Sequence, residues 1–355
     1  MGPQGDGGLN ATGVTTRRLS GAGPVILGSD VLAFTLRRLV VSIPVVLASS
    51  FIVFVLVATA GGDPLADLRL RPGVSEATIE LRRQELNLDK PVLERYGIWA
   101  KGAVTGDLGR SIRNEDVGEL LVRRLGVTMR LVLSATIIAV LLAIVIGSVS
   151  ALKQYSKFDY AATFASFVFF SMPVFWLAAV LKDVGIRAND ALGRKVFFTV
   201  SEQTPNQVGG FLTIWADRIG HLLLPSLTLI LISMAGWSRY QRGSMLEVLN
   251  ADYIRTAKAK GLSGRVVLFR HALRNALIPV VTVVAIDFAA ILGGAVVTET
   301  VFGWAGMGRL LVEALGVQDV NVVQAWLLVT AMVVVLFNLI ADILYGYLDP
   351  RIRRG

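Results

Sequence analysis

Residue types that could carry out catalysis are scarce in this chain, and their spacing does not build a catalytic site. There is no cysteine, which excludes thiol nucleophiles, zinc–thiolate sites and disulfides. An intramembrane serine protease would need Ser238 beside a histidine. His221 lies about 25 Å away along the same predicted helix, and His271 falls in a different segment. No Gly-x-x-x-x-Gly-Lys-Ser/Thr loop is present to hold a nucleotide phosphate. We therefore expect no enzyme activity, cofactor or metal in this chain.

A single acidic residue, Asp287, interrupts an otherwise uncharged apolar run. An ionised aspartate in the middle of a bilayer costs about 2.5 to 3.5 kcal/mol even on the most lenient scale. Asp287 is therefore expected to face a pore or a partner helix. A proton-coupled transporter would use such an acid as a relay, although an acid without a basic partner in the membrane makes a weak one.

A basic segment, Glu247 to Arg274, lies between two long apolar runs. Small and apolar residues alternate with charged residues at helical spacing from Glu247 to Lys260, and Gly261 follows where a helix would be capped. This pattern predicts a structured helix outside the membrane. A membrane protein with such a helix on its inner face is expected to contact another protein there, because a purely lipid-binding helix would carry larger apolar residues.

The elements that carry these residues are membrane helices. Hydrophobic residues make up 54% of the chain and charged residues only 17%, far from the composition of a soluble domain. Six runs are long enough to cross a bilayer. They are Leu39 to Ala60, Leu131 to Leu152, Tyr160 to Leu181, Gly220 to Ser238, Asn275 to Val297 and Val320 to Ala341. The sequence thus predicts an all-α membrane protein with six transmembrane helices.

The loop charges predict the orientation. With both termini inside, every internal segment has an excess of lysine and arginine, whereas the external segments balance their charges, so the positive-inside rule places the termini and the basic segment in the cytoplasm. The net charge of +9 lies mostly on short loops beside apolar helices. Anionic lipid headgroups explain it better than nucleic acid, which we do not expect as a partner.

The chain divides into five predicted parts. Residues 1–30 are rich in glycine, serine and threonine and lack periodic apolar residues, so we expect a disordered cytoplasmic tail there. Residues 31–60 hold the first membrane helix, 61–127 an extracytoplasmic loop subdomain, 128–346 a core of five helices, and 347–355 a cytoplasmic tail. Within the loop subdomain, helices are predicted from Ser75 to Leu88 and from Val92 to Trp99, with a tight turn at Gly106 to Gly109. The glycine-rich stretch Gly293 to Gly308 predicts an external, turn-rich segment at the membrane surface.

Several motifs resemble those of one transporter family. The run Asp252 to Ser263, followed by His271 to Pro279, is similar to the permease signature of ABC peptide importers. The outer-loop pieces Leu86 to Pro91 and Gly106 to Gly109 agree with it, as do Gly293 to Glu299, Phe302 to Trp304, Gly306 to Gly308 and the ending Leu348 to Arg351. The similarity runs from about residue 34 to the C-terminus. It is greatest to the first of the two permease subunits of oligopeptide and dipeptide importers.

This resemblance implies a type I importer permease in the cytoplasmic (inner) membrane of a bacterium. Its basic segment would be a coupling helix that docks on cytoplasmic P-loop ATPase subunits, which would carry the ATP and Mg²⁺. The other implied partners are a second, homologous permease subunit, an extracytoplasmic peptide-binding lipoprotein and membrane lipids. A nickel chelate or glutathione is an alternative cargo for the same architecture. The segment departs from the general importer motif at Arg255, Thr256 and Arg274, and this departure is typical of the peptide type.

The candidate site residues form three groups. The ATPase-coupling group is Glu247, Ala251, Asp252, Tyr253, Arg255, Thr256, Ala257, Lys260, Gly261 and Leu262. Candidates for the pore or for contact with a partner helix are Asp287, Gly293, Gly294 and Glu299. Candidates for the side that faces the binding protein are Phe302, Gly303, Trp304, Gly306 and Gly308.

Overall fold

The computed structural model describes residues 29–60, 63–70 and 72–348, and these residues contain helices but no β-strand. The helices are α1 (Ser29–Thr59), α2 (Ala66–Arg69), α3 (Glu76–Glu85), α4 (Val92–Thr105), α5 (Val117–Leu152), α6 (Lys157–Ser171), α7 (Val174–Leu192), α8 (Phe211–Leu249), α9 (Asp252–Ala259), α10 (Gly264–Val266), α11 (Arg274–Phe302), α12 (Met307–Gly316) and α13 (Val320–Leu348), with a π-helix at Val267–Leu273. The all-helical prediction is confirmed. Most of the two predicted tails, at 1–28 and 349–355, lies outside the described residues, whereas residues 29–30 and 347–348 belong to α1 and α13. The cytoplasmic placement of the termini stays a prediction.

Five helices of the described part are long and apolar enough to cross a membrane, and a bent pair could supply a sixth span. The bent pair is α6 and α7, which meet at 106°. The stretch Tyr160 to Leu181, predicted as one transmembrane helix, is therefore divided between two helices that meet at a sharp bend. Pro173 explains the break, because it has no backbone N–H and forces the preceding Met172 into an extended conformation, with ψ of 130°.

The centre of the bundle is the long contact between α5 and α8. A stripe of alanines on α5, Ala135, Ala139 and Ala143, is fully buried there. Gly147 continues this stripe, and a Cβ at its position would lie 2.5 Å from the backbone oxygen of Ser238 on α8. Small residues let two membrane helices approach to backbone contact, where dispersion forces hold them together.

The subdomain between the first two spans follows the predicted pattern with shifted ends. Helix α3 is capped by Ser75, whose hydroxyl accepts a hydrogen bond from the Thr78 N–H. Helix α4 runs on to Thr105, past the predicted end at Trp99, and stops at Gly106 with φ of +88°. Helix α5 already begins at Val117, so the last part of the predicted loop, 117–127, belongs to a spanning helix.

A connection between α7 and α8 is fastened to the start of α8. The Asp217 carboxylate accepts hydrogen bonds from the Thr204 N–H at 2.9 Å and from its hydroxyl at 2.6 Å. One turn further along α8, the buried His221 ring packs against the Phe198 ring at a tilt of 36°, with centroids 4.1 Å apart. This end of α8 is therefore tied to residues 198–204, while its other end leads into α9.

Candidate functional site

The predicted coupling segment consists of two helices joined by a corner. Helix α8 continues through Glu247 to Leu249, and Ala251, with ψ of 148°, turns the chain before α9 begins at Asp252. The prediction of one helix from Glu247 to Lys260 is therefore wrong. Because Glu247 belongs to the long membrane helix, α9 alone is the separate short element.

Helix α9 is fixed to the bundle by its inward face. Ile254 is fully buried and Ala257 nearly so, in a cluster with Met245, Val267 and Ala272. This cluster joins α9 to the end of α8 and to the start of the helix that leads into α11. Burial of an isoleucine side chain contributes about 1.5 to 3 kcal/mol, so α9 is held firmly despite its length of 8 residues.

The outward face of α9 is open in this chain. Seven of the ten predicted coupling residues are exposed on this helix or in the turn directly after it, namely Asp252, Tyr253, Arg255, Thr256, Lys260, Gly261 and Leu262. Tyr253 is 44% exposed and Leu262 is 41% exposed, so apolar groups project among the charges. The Asn275 amide donates a hydrogen bond to the Tyr253 hydroxyl at 3.0 Å, which fixes the ring against the start of α11. The outward face is therefore a mixed polar and apolar surface, while Ala257 points inward.

Gly261 is required by the backbone conformation. Its φ is +75°, a left-handed value that side chains with a Cβ adopt at a cost of about 1 to 2 kcal/mol. No atom lies within 4 Å of the place where a Cβ would be. The glycine therefore serves the turn itself within this chain. The π-helix at Val267–Leu273 follows shortly afterwards, and such segments often lie at functional sites.

A buried ion pair beside α9 was not found from the sequence. The Asp159 carboxylate near the start of α6 accepts two hydrogen bonds from the Arg242 guanidinium on α8, at 2.7 and 2.8 Å. It also accepts hydrogen bonds from the Ser150 hydroxyl and from the Tyr155 N–H. This bidentate arrangement ties the α5–α6 turn to the same stretch of α8 that leads into α9. The only sequence signal was an aspartate at the start of an apolar run.

Asp287 bonds to another helix of its own chain. The indole N–H of the buried Trp237 on α8 donates to an Asp287 carboxylate oxygen at 2.9 Å. The Asp287 side chain remains partly exposed. Its predicted role as a pore or partner-helix residue is thus untested, although part of its hydrogen-bonding capacity is used inside the chain.

The contacts of Arg239 on α8 were not found from the sequence. The predicted span ended one residue earlier, at Ser238, so Arg239 was counted outside the membrane. In the structure it lies inside α8, and its guanidinium carbon is 4.9 Å from the centre of the Phe167 ring and 4.4 Å from that of Phe170.

The stretch Gly293 to Phe302 is helical, so the prediction of a turn-rich segment holds only from Gly303 onward. Both Gly293 and Gly294 lie inside α11. Glu299 near its end is completely buried and accepts hydrogen bonds from the Thr128 hydroxyl at 2.5 Å and from the N–H groups of Gly308 and Arg309. Its carboxylate therefore caps the first turn of α12.

The residues predicted to face a binding protein hold α11 and α12 together in this structure. Phe302 and Trp304 are 1% and 2% exposed, so neither ring offers a surface to a partner here. Gly303 turns the chain with φ of +65°. A Cβ at Gly306 would collide with the Glu299 carboxylate, and one at Gly308 with the backbone of Val296. These glycines let α12 begin directly against α11.

The far end of α12 is tied to the subdomain between the first two spans. Asp319, just before α13, accepts a hydrogen bond from the Ile112 N–H at 2.7 Å and one from the Val322 N–H at 3.3 Å. Burial raises the pKa of the Asp319 carboxyl above its usual value, and these hydrogen bonds oppose the rise only in part.

Comparison with known proteins identifies the family. The model described as binding-protein-dependent transport system inner membrane component matches residues 143–354. An oligopeptide transport system permease protein of Mycobacterium tuberculosis is 42% identical over 291 residues, which are 82% of this chain and 90% of that protein. A dipeptide transport system permease protein of Escherichia coli is 39% identical over 306 residues, with the same two coverages.

Among solved structures, one described as the crystal structure of an amino acid ABC transporter with histidines superposes on this chain with a TM-score of 0.44 and 12% sequence identity. The superposition covers 64% of this chain and 94% of the chain in that structure. The family model and the two permeases carry the assignment, and the apolar helices agree with it. The chain therefore belongs to the family of inner-membrane components of binding-protein-dependent transport systems, and it is a multi-pass protein of the inner membrane.

Proposed function

We propose that this chain is one permease subunit of an ATP-driven importer of peptides. The observation that carries the proposal is the similarity, at 39% and 42% identity over most of the chain, to permeases named for dipeptide and oligopeptide transport. A second, homologous permease would complete the pathway. An extracytoplasmic peptide-binding lipoprotein would deliver the cargo.

The energy for transport would enter through α9. Its inward face is fixed to the bundle by Ile254 and Ala257, while its outward face is free. An element that is rigid on one side and open on the other suits the transfer of motion from a docked protein, because a flexible loop would absorb that motion. P-loop ATPase subunits, which would bind ATP and Mg²⁺, are the proposed partners on the outward face.

Substitution of Gly261 tests this coupling. Gly261→Asp should reduce peptide uptake by the reconstituted complex at least tenfold, because a side chain strains the left-handed turn and adds a charge at the proposed interface. The control is Gly264→Asp, since Gly264 is equally exposed and has no positive φ. Undiminished uptake by the Gly261 variant would contradict the coupling role.

Two measurements separate this proposal from its alternatives. ATP-dependent uptake that continues after a protonophore collapses the proton gradient would exclude a proton-coupled secondary transporter based on Asp287. Competition of labelled peptide uptake by unlabelled peptide, nickel chelate or glutathione would identify the cargo class. Inhibition by the chelate or by glutathione alone would overturn the peptide assignment and leave the importer architecture in place.

A further inference from the structure

A cavity of about 280 Å³ lies between the subdomain that follows the first span and the ends of two membrane helices. Its apolar lining includes Val57 and Ala58 in the last turn of α1 and Val320 at the start of α13. Its charged lining includes Arg83 on α3 and Arg95 on α4. The cavity therefore brings two cations of the subdomain together with apolar side chains of the spans.

Neither arginine is paired with an anion in the described part of the chain. No carboxylate there lies within 4 Å of the nitrogens of Arg83 or Arg95. The guanidinium carbon of Arg95 lies 5.8 Å from the centre of the Phe54 ring, a contact that uses the flat face of the group and leaves its in-plane N–H donors available. Burial lowers the pKa of the Arg95 guanidinium below its usual value, so an anion beside it would offset an unfavourable desolvation.

The carboxylate of Asp63 also lines the cavity, but both of its oxygens are already in use. One accepts a hydrogen bond from the Arg69 guanidinium at 2.9 Å, and the other accepts one from the Leu65 N–H at 3.0 Å. Because Arg69 balances the charge of Asp63, the two arginines of the cavity give it a net positive charge. The cavity therefore lacks an anion of its own.

The position of the cavity along the spans places it at the membrane surface. The apolar span of α1, Val40–Thr59, has 20 residues, which is about the length that crosses a hydrocarbon core of ~30 Å. Val57 and Ala58 lie in its last turn, and Val320 is the first residue of the span in α13. The apolar side of the cavity is therefore at the edge of the hydrocarbon, and the arginines of the subdomain are at the level of the headgroups.

We infer that this cavity binds the phosphate group of an anionic phospholipid through Arg83 and Arg95. The planar guanidinium matches two oxygens of a phosphate, and basic pockets beside membrane helices suit anionic headgroups. The apolar lining at Val57, Ala58 and Val320 would take the glycerol and the first acyl carbons, for which a small soluble anion has no counterpart. A lipid held in this way would join α3 and α4 to the ends of α1 and α13, and the inference does not depend on the cargo.

The test measures binding of dioctanoyl phosphatidylglycerol to the full chain, purified and stripped of lipid in detergent, by native mass spectrometry. Arg83→Gln and Arg95→Gln should each weaken binding about tenfold or more, because each removes hydrogen bonds to a charged group. Dioctanoyl phosphatidylcholine, which has no net charge, should bind more weakly and respond less to both variants. The control is Lys101→Gln, which removes an exposed positive charge from α4 at a residue that does not line the cavity and should leave binding unchanged.

Several outcomes would overturn the inference. Equal weakening by Lys101→Gln would mean that the lipid responds only to the overall charge, and unchanged binding in both arginine variants would place the lipid elsewhere. Displacement of the lipid by inorganic phosphate at equal concentration would assign the cavity to a free anion, and displacement by an acidic peptide would assign it to a protein partner. If Arg95→Gln fails to fold, Arg83→Gln decides the question, because the Arg83 side chain is exposed.

Discussion

The junction of α11 and α12 yields the sharpest stability prediction. Gly308→Ala places a methyl group closer to the Cα of Val296 than any real contact allows, and 3.0 Å from a carboxylate oxygen of Glu299. The first obstacle is backbone within a helix, which cannot rotate out of the way as a side chain could. Helix α12 must therefore move away from α11.

The expected loss follows from what that movement disturbs. Overpacking of a tight contact costs about 1 to 3 kcal/mol. The Gly308 N–H bond to Glu299, now 2.7 Å, and the weaker Arg309 bond would both lengthen, and loss of a hydrogen bond to a charged group costs about 1.5 to 3 kcal/mol. Alanine in place of glycine returns about 1 kcal/mol of helix propensity. The net destabilisation should be about 2 to 5 kcal/mol.

Thermal unfolding of the purified protein in detergent measures this loss. Tryptophan fluorescence is a suitable signal, because Trp304 is buried at the junction and the Trp326 indole donates to the Met307 carbonyl at 2.8 Å. Tm should fall by about 5 °C or more. The control is Gly316→Ala at the end of the same helix, where no atom lies within 4 Å of the new methyl group. That variant should be unchanged or slightly more stable.

Equal Tm values for the two variants would refute the reasoning. They would mean that α12 does not begin in contact with α11 in the folded protein, and that the buried Glu299 carboxylate is not what positions it. A fall in Tm for both variants would point instead to a general sensitivity of α12 to alanine.

Two further predictions concern carboxylates. Asp159→Asn should lower the free energy of unfolding by about 3 kcal/mol, because it removes the buried partner of Arg242. The control Asp183→Asn, in an exposed ion pair, should change the free energy of unfolding by less than about 1 kcal/mol. Unfolding in SDS titrations would compare the two variants, and equal effects would contradict the argument. For Asp319, the raised pKa means that the protonated form is favoured on folding, so this contribution to stability is present at low pH and lost as pH rises through the folded-state pKa. The difference in Tm between the natural protein and Asp319→Asn should therefore be larger at pH 4 than at pH 7, and a pH-independent difference would count against it.

Most of the fold could be predicted from the apolar runs and from the residues that cap helices. The spans were recognisable because a bilayer demands about 20 apolar residues whatever the tertiary structure. Ser75 and Gly106 were placed correctly because helix caps are local. The break at Pro173 could not be predicted, since the sequence alone does not distinguish a kinked helix from a broken one.

The site was harder to predict because its contacts join distant parts of the chain. The glycines from 293 to 308 indicated a loop when counted by composition, yet two of them let helices approach. Glu299 bonds to Thr128, which is 171 residues away in the sequence, and no local pattern reveals such a pair. Arg239 contacts Phe167 and Phe170 on a different helix, and no local pattern reveals that contact either.

Helix α8 is longer than any membrane requires. Its 39 residues extend about 58 Å, roughly twice a hydrocarbon core of ~30 Å. One end leads into α9, and the other is fastened to residues 198–204 through Asp217 and His221. Such a helix acts as a lever arm, because a tilt of about 10° around its midpoint would displace each end by about 5 Å. Motion at one membrane surface would thereby reach the other without any intermediate contact.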